Sequence, residues 1–355
     1  MAVQPVMGIT DVREAIAWQA NHADKADAPI TGRVVRAELA ILDTPTELAR
    51  RMNHWPGLSL EDAMPLRVAG GLHWLHLSGA DPRLAPVYAG EVLDQAAVDE
   101  IVAAVAVDWD AKLAPWLDHP PQTNEAGRSA SVMAGLLWLS QRLGPRFEMN
   151  EIGASAGVNT MIERYRYDLG GVEVGPADSP MRLTPAWRGP PPPDGAVEIV
   201  AIRGCDVSPV DLSNPAEALR LKAYVWPDAP DRMQRIEAAA QLSAATPPLL
   251  ARKDAGDFVE ERLEAPQDAG VTRVLFHSVM WQYLPEATRR SITAAMEQAG
   301  AHASAERPLA WVQLETNRET FRHELTVRHW PGGEAPVLLS EAHPHGAWIA
   351  WRGAP

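Results

Sequence analysis

The stretch F-E-M-N-E-I-G-A-S-A-G-V-N, residues 147–159, is the most informative part of this 355-residue chain. Its first half is mostly apolar and reaches an acid, Glu151, and Gly153 and Gly157 then flank Ser155. Apolar side chains at helical spacing follow, so the stretch predicts a strand that turns sharply into a helix. Such a turn presents backbone N–H groups and the positive end of a helix dipole at one edge of a sheet.

The patterns on the two sides of this stretch differ. Before it, amphipathic spacing predicts helices over 12–20, 33–42, 46–51, 66–77, 96–119 and 124–143. After it, strands are predicted over 197–202, 249–251, 271–276 and 309–314, and helices over 215–225, 231–244 and 285–299. Strands that alternate with helices predict parallel pairing in a doubly wound sheet.

The end of the chain predicts an antiparallel addition to that sheet. Two strand-like runs, Glu324–His329 and Val337–Ser340, are joined by the turn Pro331-Gly332-Gly333, and 347–351 predicts a last strand. We therefore predict an all-helical N-terminal domain over 1–122 and an α/β domain over 123–355. Within the second domain, the glycine- and proline-rich insertion 167–195 predicts a surface hairpin or flap.

Composition limits the classes of function. The formal net charge of −14 argues against a surface for nucleic acid. No apolar stretch approaches the roughly 20 residues that a membrane span needs, so no membrane partner is predicted. Cys205 is the only cysteine, which excludes an internal disulfide and a cysteine-based zinc site. A single cysteine fits a reducing compartment, and we predict a cytoplasmic protein.

The glycine turn fits two kinds of enzyme, and the first is a serine hydrolase. G-A-S-A-G has the form G-x-S-x-G, which places a nucleophilic serine between a strand and a helix. His343 and His345 follow late in the chain, so the order Ser, Asp, His is available. However, an elbow serine normally follows several strands of its sheet, whereas Ser155 follows the first predicted strand. Esterase-type chemistry through Ser155 stays an alternative.

The second kind is a nucleotide-type cofactor site. Asp206 ends the second predicted strand, where a carboxylate accepts both ribose hydroxyls of a cofactor. Asp254 follows the third strand, where an acid accepts from an adenine amino group. Glu151 makes a third acid at the end of a strand, and a site lined by acids suits a cationic sulfonium ligand. Each aspartate alone is equally explained as a helix cap or a solvated turn.

These features together resemble the Rossmann-like class I S-adenosylmethionine-dependent methyltransferases. The resemblance implies a Rossmann-like sheet, S-adenosylmethionine as cofactor and methyl transfer to a small-molecule acceptor. The chain departs from that pattern at Ser155, where the superfamily more often has glycine. The implied cofactor-binding residues are Glu151, Gly153, Ser155, Gly157, Asn159, Asp206 and Asp254, together with Asn124 and Arg128 from the helix before the first strand.

The chain more closely resembles an uncharacterised bacterial family, over nearly its whole length. The shared motifs are N-E-A-G-R (124–128), E-I-G-A-S-A-G-V-N (151–159), R-G-C-D-V-S-P (203–209), V-W-P-D (225–228), H-S-V-M-W-Q-Y-L (277–284) and H-P-H-G (343–346). This resemblance identifies relatives and implies no activity. A non-catalytic protein that binds a nucleoside or a partner protein on the same fold is therefore a third class of function.

The resemblance to methyltransferases places acceptor-facing residues after the fourth strand. His277 is predicted as a general base, because its ordinary pKa lies near neutrality; the alternative is a histidine held by backbone at a strand end. Ser278, Trp281 and Tyr283 are predicted to face the substrate, with packing as the alternative for the two aromatic residues. His345 is predicted to line the same pocket.

Two further assignments have open alternatives. Arg128 is predicted to pair with the carboxylate of the methionine moiety, or with Glu125 in a structural ion pair at i,i+3 spacing. His343 and His345 lie in one loop but lack a third ligand, so no metal site is predicted.

Overall fold

The computed structural model describes residues 9, 11–56, 62–122 and 124–353, and it shows a mixed α/β protein. Its α-helices are α1 (Val12–Lys25), α2 (Pro29–Ile41), α3 (Glu47–Asn53), α4 (Met64–Leu77), α5 (Ala85–Tyr88), α6 (Gln95–Asp108), α7 (Asp110–Leu113), α8 (Ser129–Leu143), α9 (Pro215–Ala223), α10 (Pro230–Ala245), α11 (Ala255–Glu264) and α12 (Glu286–His302). None of the helices in the described ranges combines the length and the apolar character needed to cross a bilayer.

The strands are β1 (Arg146–Ile152), β2 (Arg166–Leu169), β3 (Val172–Val174), β4 (Arg182–Leu183), β5 (Ala186–Arg188), β6 (Glu198–Asp206), β7 (Leu250–Arg252), β8 (Thr272–Ser278), β9 (Leu309–Thr316), β10 (His323–Trp330), β11 (Gly333–Ala342) and β12 (Trp348–Trp351). Nine of them form one sheet in the order β5–β12–β11–β10–β9–β8–β1–β6–β7. The pairs from β9 to β7 are parallel. The pairs from β9 to β12 are antiparallel, and β5 pairs in parallel with β12.

The order in which the chain adds parallel strands to the sheet reverses at β1. From β1 the chain builds β6 and β7 on one side, and it then returns to place β8 and β9 on the other side. The predicted strands of the second half and the antiparallel β10–β11 pair are confirmed. Because the carboxyl ends of β1, β6, β8 and β9 lie at one edge, the loops that follow them meet there. We call this the carboxyl edge.

Helices cover both faces of this sheet. On β9, Val312 lies against Gly135 of α8 on one face. Trp311 lies in an apolar core with residues of α11 and α12 on the other face, because neighbouring residues on a strand alternate between faces. Every residue of β8 is buried, as expected for a central parallel strand covered on both sides.

The chain divides into two compact units. The first comprises the described residues of Met1–Thr123 together with Asn214–Gln234, and the second comprises Asn124–Ser213 and the described residues of Arg235–Pro355. The first unit is helical, which fits the prediction for the N-terminal region. The segment 214–234, which we placed in the second domain, clusters with the first unit. The Asp228 carboxylate accepts the Ile30 and Thr31 backbone N–H groups at the start of α2, at 2.9 and 2.8 Å.

Three helix predictions are corrected. The residues after the glycine turn form a short 3₁₀ helix, Asn159–Arg164, instead of an α-helix, and Met161 inside it has non-helical backbone angles. The single helix predicted over 96–119 is divided at Trp109 into α6 and α7. Helix α11 was not predicted, although Asp254 caps its first turn.

The insertion after the glycine turn is only partly a hairpin. Strands β2 and β3 form an antiparallel hairpin, and β4 joins them in a separate three-stranded sheet. Strand β5 leaves the insertion and becomes an edge strand of the large sheet. The predicted flap is therefore anchored in the main fold, because its last strand forms backbone bonds with β12.

Candidate active site at the carboxyl edge

The glycine turn has a backbone that few residue types adopt. Gly153 has a φ of +66°, Ser155 +51° and Gly157 +69°. A left-handed serine is uncommon, because its Cβ crowds the following carbonyl group. Gly153 has a second constraint, since a Cβ there would lie 2.7 Å from Met280 Cε. The two glycines are therefore required by the conformation of the turn.

The backbone N–H groups of the turn are already bonded inside the protein. Ala154 N donates to Cys205 O at 2.9 Å, and Gly157 N donates to Ala154 O at 2.8 Å. Val158 N donates to Asn124 Oδ1 at 2.8 Å. Ser155 N donates to Asp206 Oδ2 at 2.9 Å. The expectation that this main chain is free to hold a ligand is therefore corrected at these four positions.

The two aspartates at the strand ends have different surroundings. Asp206 is half-buried, and besides the Ser155 N–H its Oδ1 accepts the N–H of Ser208 at 2.8 Å. A carboxylate has about four acceptor positions, so this group retains capacity for a ligand. Asp254 is exposed and accepts the N–H of Gly256 at 2.8 Å as the N-cap of α11. The helix-cap alternative thus describes the position of Asp254, and its predicted contact with adenine stays a prediction.

Glu151 is the most deeply buried acid of the site. It is 1% exposed, and its Oε2 has no hydrogen-bond partner among the described residues. Burial raises the pKa of this carboxyl well above its ordinary value, and the nearby charge of Asp206 raises it further, whereas Asn159 and Arg128 lower it. Burial therefore favours the protonated form of Glu151 in the free protein.

Three buried polar atoms around the turn have no hydrogen bond of good geometry within the described part of the chain, although Asn159 lowers the pKa of Glu151 through a weak side-chain hydrogen bond. They are Glu151 Oε2, Ser155 Oγ and Asn159 Nδ2. Asn159 is 1% exposed, and its other side-chain atom, Oδ1, accepts from Ser129 Oγ at 2.7 Å. An unpaired buried polar group costs about 1–3 kcal/mol. We call Glu151, Ser155, Asn159 and Asp206 the turn cluster, and its unpaired atoms mark it as a place for a polar ligand.

Arg128 links the turn cluster to the other side of the carboxyl edge. Its guanidinium is buried and donates to Pro344 O at 2.9 Å and to Ser278 O at 3.3 Å. Glu125 Oε1 accepts from Arg235 Nε at 2.7 Å and from the Gly127 N–H at 3.0 Å, and its predicted ion pair with Arg128 stays a prediction. Asn124, predicted beside the cofactor, holds the glycine turn through Val158 N.

His277 is enclosed by side chains of the sheet and of the loop after β8. It is 0% exposed, its Nε2 accepts from Trp311 Nε1 at 3.1 Å, and its Nδ1 lies 2.6 Å from Glu315 Oε1. The Trp281 ring stacks on it with centroids 5.0 Å apart. Both ring nitrogens are therefore engaged, so the imidazole has no open position from which to take a proton. The predicted role as a general base finds no support in this arrangement.

Glu315 organises the loop after β8. The same Oε1 that bonds His277 also accepts the N–H groups of Met280 and Trp281, at 3.1 and 3.3 Å. Val279 in this loop has a φ of +52°, a strained conformation for a β-branched residue. Strain of this kind persists only where the surroundings impose it. Glu315 was missed by the sequence reasoning, although it nearly ends β9 as Glu151 nearly ends β1.

The other predicted substrate residues differ in exposure. Ser278 is buried at the end of β8, and Trp281 is half-buried against His277. Tyr283 is 65% exposed. Their predicted contact with an acceptor stays a prediction.

The H-P-H-G loop follows β11 and contacts the residues before α8. Arg235 Nη2 donates to His345 O at 3.4 Å, and a Cβ on Gly127 would lie 2.6 Å from that same oxygen. His345 N donates to His343 Nδ1 at 3.1 Å. Within the described ranges, no group of three metal-ligating side chains is suited to a metal ion.

A third histidine lies beside this loop and was missed by the sequence reasoning. His323 begins β10, and its Nδ1 lies 3.1 Å from Thr316 Oγ1 at the end of β9. It is half-buried, and burial lowers its pKa. The charges of Arg128 and His343 lower this pKa further, whereas the charge of Glu315 raises it. The only sequence signal that could have indicated His323 was its place at the start of a strand that runs antiparallel to β9, which brings it to the carboxyl edge.

The hydrolase alternative predicts a histidine bonded to Ser155. Ser155 Oγ has no hydrogen-bond partner in the described structure, and β1 is the first strand of the sheet. The left-handed backbone of Ser155 is compatible with an elbow, but no imidazole is in place to activate the hydroxyl. Esterase activity stays an untested prediction.

Comparison with known proteins gives the family and no activity. No curated protein and no solved structure matches the chain, so the resemblance to methyltransferases gains no support there. Residues 13–351 match the family described as "Uncharacterized protein conserved in bacteria (DUF2332)". The match covers nearly the whole chain and agrees with the resemblance drawn from the motifs around the glycine turn. The protein therefore belongs to the DUF2332 family of bacterial proteins.

Proposed function

We propose that the protein binds S-adenosylmethionine at the turn cluster and transfers its methyl group to a small-molecule acceptor. The observation that carries this proposal is the set of three unpaired, buried polar atoms beside the acid Asp206 at the carboxyl ends of β1 and β6. A ligand with an ammonium group, a carboxylate and ribose hydroxyls supplies donors and acceptors of the kinds that these atoms lack.

The sheet order supports the place of the site. In an open α/β sheet, ligands bind outside the carboxyl ends of the strands where the strand order reverses. Here the order reverses between β1 and β8, and the glycine turn directly follows β1. The short 3₁₀ helix after the turn is too brief to act through a helix dipole, so the argument rests on side chains and not on that dipole.

The chemistry of the residues fits the parts of the cofactor. Asp206 is suited to the ribose hydroxyls, and Glu151 with Asn159 is suited to the polar end of the methionine moiety. When bound, the cofactor supplies an electrophilic methyl group on a cationic sulfur. The protein's own contribution is to hold the reacting groups in line and to exclude water, because methyl transfer is a direct displacement. The acids of the turn cluster also favour the positive charge.

Calorimetry with S-adenosylhomocysteine tests the proposal. We expect binding to the wild-type protein, and we expect Asp206→Ala to weaken it by roughly 10- to 100-fold, since a hydrogen bond to a charged group contributes about 1.5–3 kcal/mol. Asp168→Ala is the matched control, because Asp168 also accepts a turn N–H, from Gly171 at 2.8 Å, but in the β2–β3 hairpin. No heat of binding at ~1 mM ligand, from folded wild-type protein, would exclude the proposal.

Proton release on binding tests the role of Glu151. Its pKa is raised in the free protein, and an ammonium group beside it favours the ionised form. Binding should therefore release a proton, and affinity should rise with pH until Glu151 is already ionised in the free protein. Titrations in two buffers of different ionisation enthalpy measure the number of protons released. Glu151→Gln should abolish the release; an unchanged release would assign the proton to another group.

A further inference from the structure

We infer that His323, and not His277, is the residue that takes up the proton of the methyl acceptor, and that the acceptor is therefore an O–H or N–H nucleophile. This inference rests on the proposed methyl transfer. It assigns a catalytic residue and a class of substrate to the same site.

The position of His323 places it at the carboxyl edge. In the register of the sheet it pairs with Thr316, the last residue of β9, and with Ala342, the last residue of β11. The ends of β9 and β8 are neighbours, because Ser278 pairs with Leu314 two residues before Thr316. His323 therefore lies where the loops after β8, β9 and β11 meet.

Arg128 connects His323 with the turn cluster. The charge of Arg128 lowers the pKa of His323 and also that of Glu151, so the same guanidinium acts on both side chains. Arg128 is held in place by the carbonyl groups of Ser278 and Pro344. Because Glu151 belongs to the turn cluster, His323 and the proposed cofactor site share one buried cation.

The bonding of the His323 ring suits a base. Its Nδ1 bonds to Thr316 Oγ1, and Nε2 has no hydrogen bond to any described residue. When Nδ1–H donates to the threonine hydroxyl, the lone pair lies on Nε2 and is available to a substrate. In that tautomer Thr316 orients the ring and leaves Nε2 open, whereas His277 has both nitrogens engaged.

The surroundings of His323 favour the neutral ring before the reaction, and one nearby acid favours the protonated ring afterwards. Burial, Arg128 and His343 all disfavour the imidazolium, so the ring is neutral at pH 7. The charge of Glu315, the last residue but one of β9, favours the imidazolium. A half-buried neutral imidazole between a cation and an acid is an effective proton acceptor near neutral pH.

The step balances without a further reagent. The acceptor oxygen or nitrogen forms a bond to the methyl carbon, and the bond between that carbon and sulfur breaks with its electron pair remaining on sulfur. The proton of the acceptor moves to His323 Nε2, which gives an imidazolium that later loses the proton to solvent. An acceptor without a dissociable proton has no need of His323, which is why the inference selects O–H and N–H nucleophiles.

Nuclear magnetic resonance of the full chain labelled at histidine Cε1 tests the inference without an acceptor. The pKa of His323 is followed in the free protein, with S-adenosylmethionine and with S-adenosylhomocysteine, which differ by a methyl group and one positive charge. We expect the cationic ligand to lower the pKa of His323 more than the neutral thioether does. His323→Asn assigns the resonance, and Thr316→Val should change the tautomer that the ring nitrogens report.

The chain contains its own control on the same strand. His329 is a buried histidine on β10 that lies six residues away, beside Pro331, and its pKa should be the same with both ligands. If both ligands bind and affect His323 equally, or if His329 moves as much as His323, the inference is wrong and the cofactor site stands. If neither ligand binds by calorimetry, the proposed function fails and the inference fails with it.

Discussion

Gly153→Val is expected to abolish binding of S-adenosylhomocysteine. The backbone of Gly153 is left-handed at φ +66°, which a β-branched residue resists. Its new side chain would also meet Met280, whose Cε, Cγ and Cβ lie 2.7, 2.8 and 3.0 Å from the position of the added Cβ. The clash pushes apart the turn after β1 and the loop after β8, and the proposed cofactor site depends on both. Calorimetry on the purified variant measures the loss.

Gly270→Val separates the loss of the site from the cost of strain. Gly270 has a similar φ of +74°, but a Cβ there would meet nothing within 4 Å. Both variants should lose stability, by about 1–2 kcal/mol from the left-handed backbone alone. Only Gly153→Val should lose the ligand. Equal binding by the two variants would place the ligand away from the glycine turn.

Glu38→Met is expected to stabilise the first unit. Glu38 lies on α2 and is 0% exposed, and neither carboxyl oxygen has a hydrogen-bond partner of good geometry among the described residues. The hydroxyl of Tyr88, whose pKa is raised by burial and further by the charge of Glu38, also lacks a hydrogen bond of good geometry among the described residues. Methionine has a similar shape and no groups that need a partner. Removal of an unpaired buried polar group contributes about 1–3 kcal/mol, which urea unfolding followed by circular dichroism would detect.

The pH dependence of unfolding identifies the cause of that gain. Burial raises the pKa of Glu38 well above its ordinary value, and the backbone of Ala69 offsets this only in part. Between the unfolded and the folded pKa, only the unfolded state ionises, so Glu38 lowers stability as pH rises from the ordinary carboxyl pKa of 4.5. Glu38→Gln should remove this pH dependence as Glu38→Met does. At low pH, however, Glu38→Gln should gain less in the free energy of unfolding than Glu38→Met. A dependence that persists in both variants would have to arise from other groups.

The positions of most strands of the large sheet followed from local patterns in the sequence. Apolar runs bounded by turn residues predicted β1, β6, β8 and β9, and the Pro-Gly-Gly turn predicted the β10–β11 pair. These patterns work because an apolar run is buried in the folded protein, whichever element packs against it. Helix α11 was missed since its first turn was read as a strand end, although the aspartate before it is a common N-cap residue.

The partners of individual polar residues did not follow from local patterns. Asp254 and Asp206 both follow a strand in the sequence, but one caps a helix and the other holds a backbone N–H of the glycine turn. His277 was predicted as a general base because its ordinary pKa lies near neutrality, with a histidine held by backbone as the alternative. In the structure, Trp311 and Glu315 enclose it from a neighbouring strand more than thirty residues away.

The sequence by itself determined the family, the alternation of strands and helices, and the sharp turn at Gly153 and Gly157. These depend on neighbouring residues and on the backbone freedom of glycine. Only the tertiary structure decided that 214–234 joins the helical unit, that four N–H groups of the turn are bonded within the protein, and that the charge of Arg128 acts on His323. The physical reason is that hydrogen bonds and charge interactions act over a few ångströms in space, and the strand order sets which distant residues come that close.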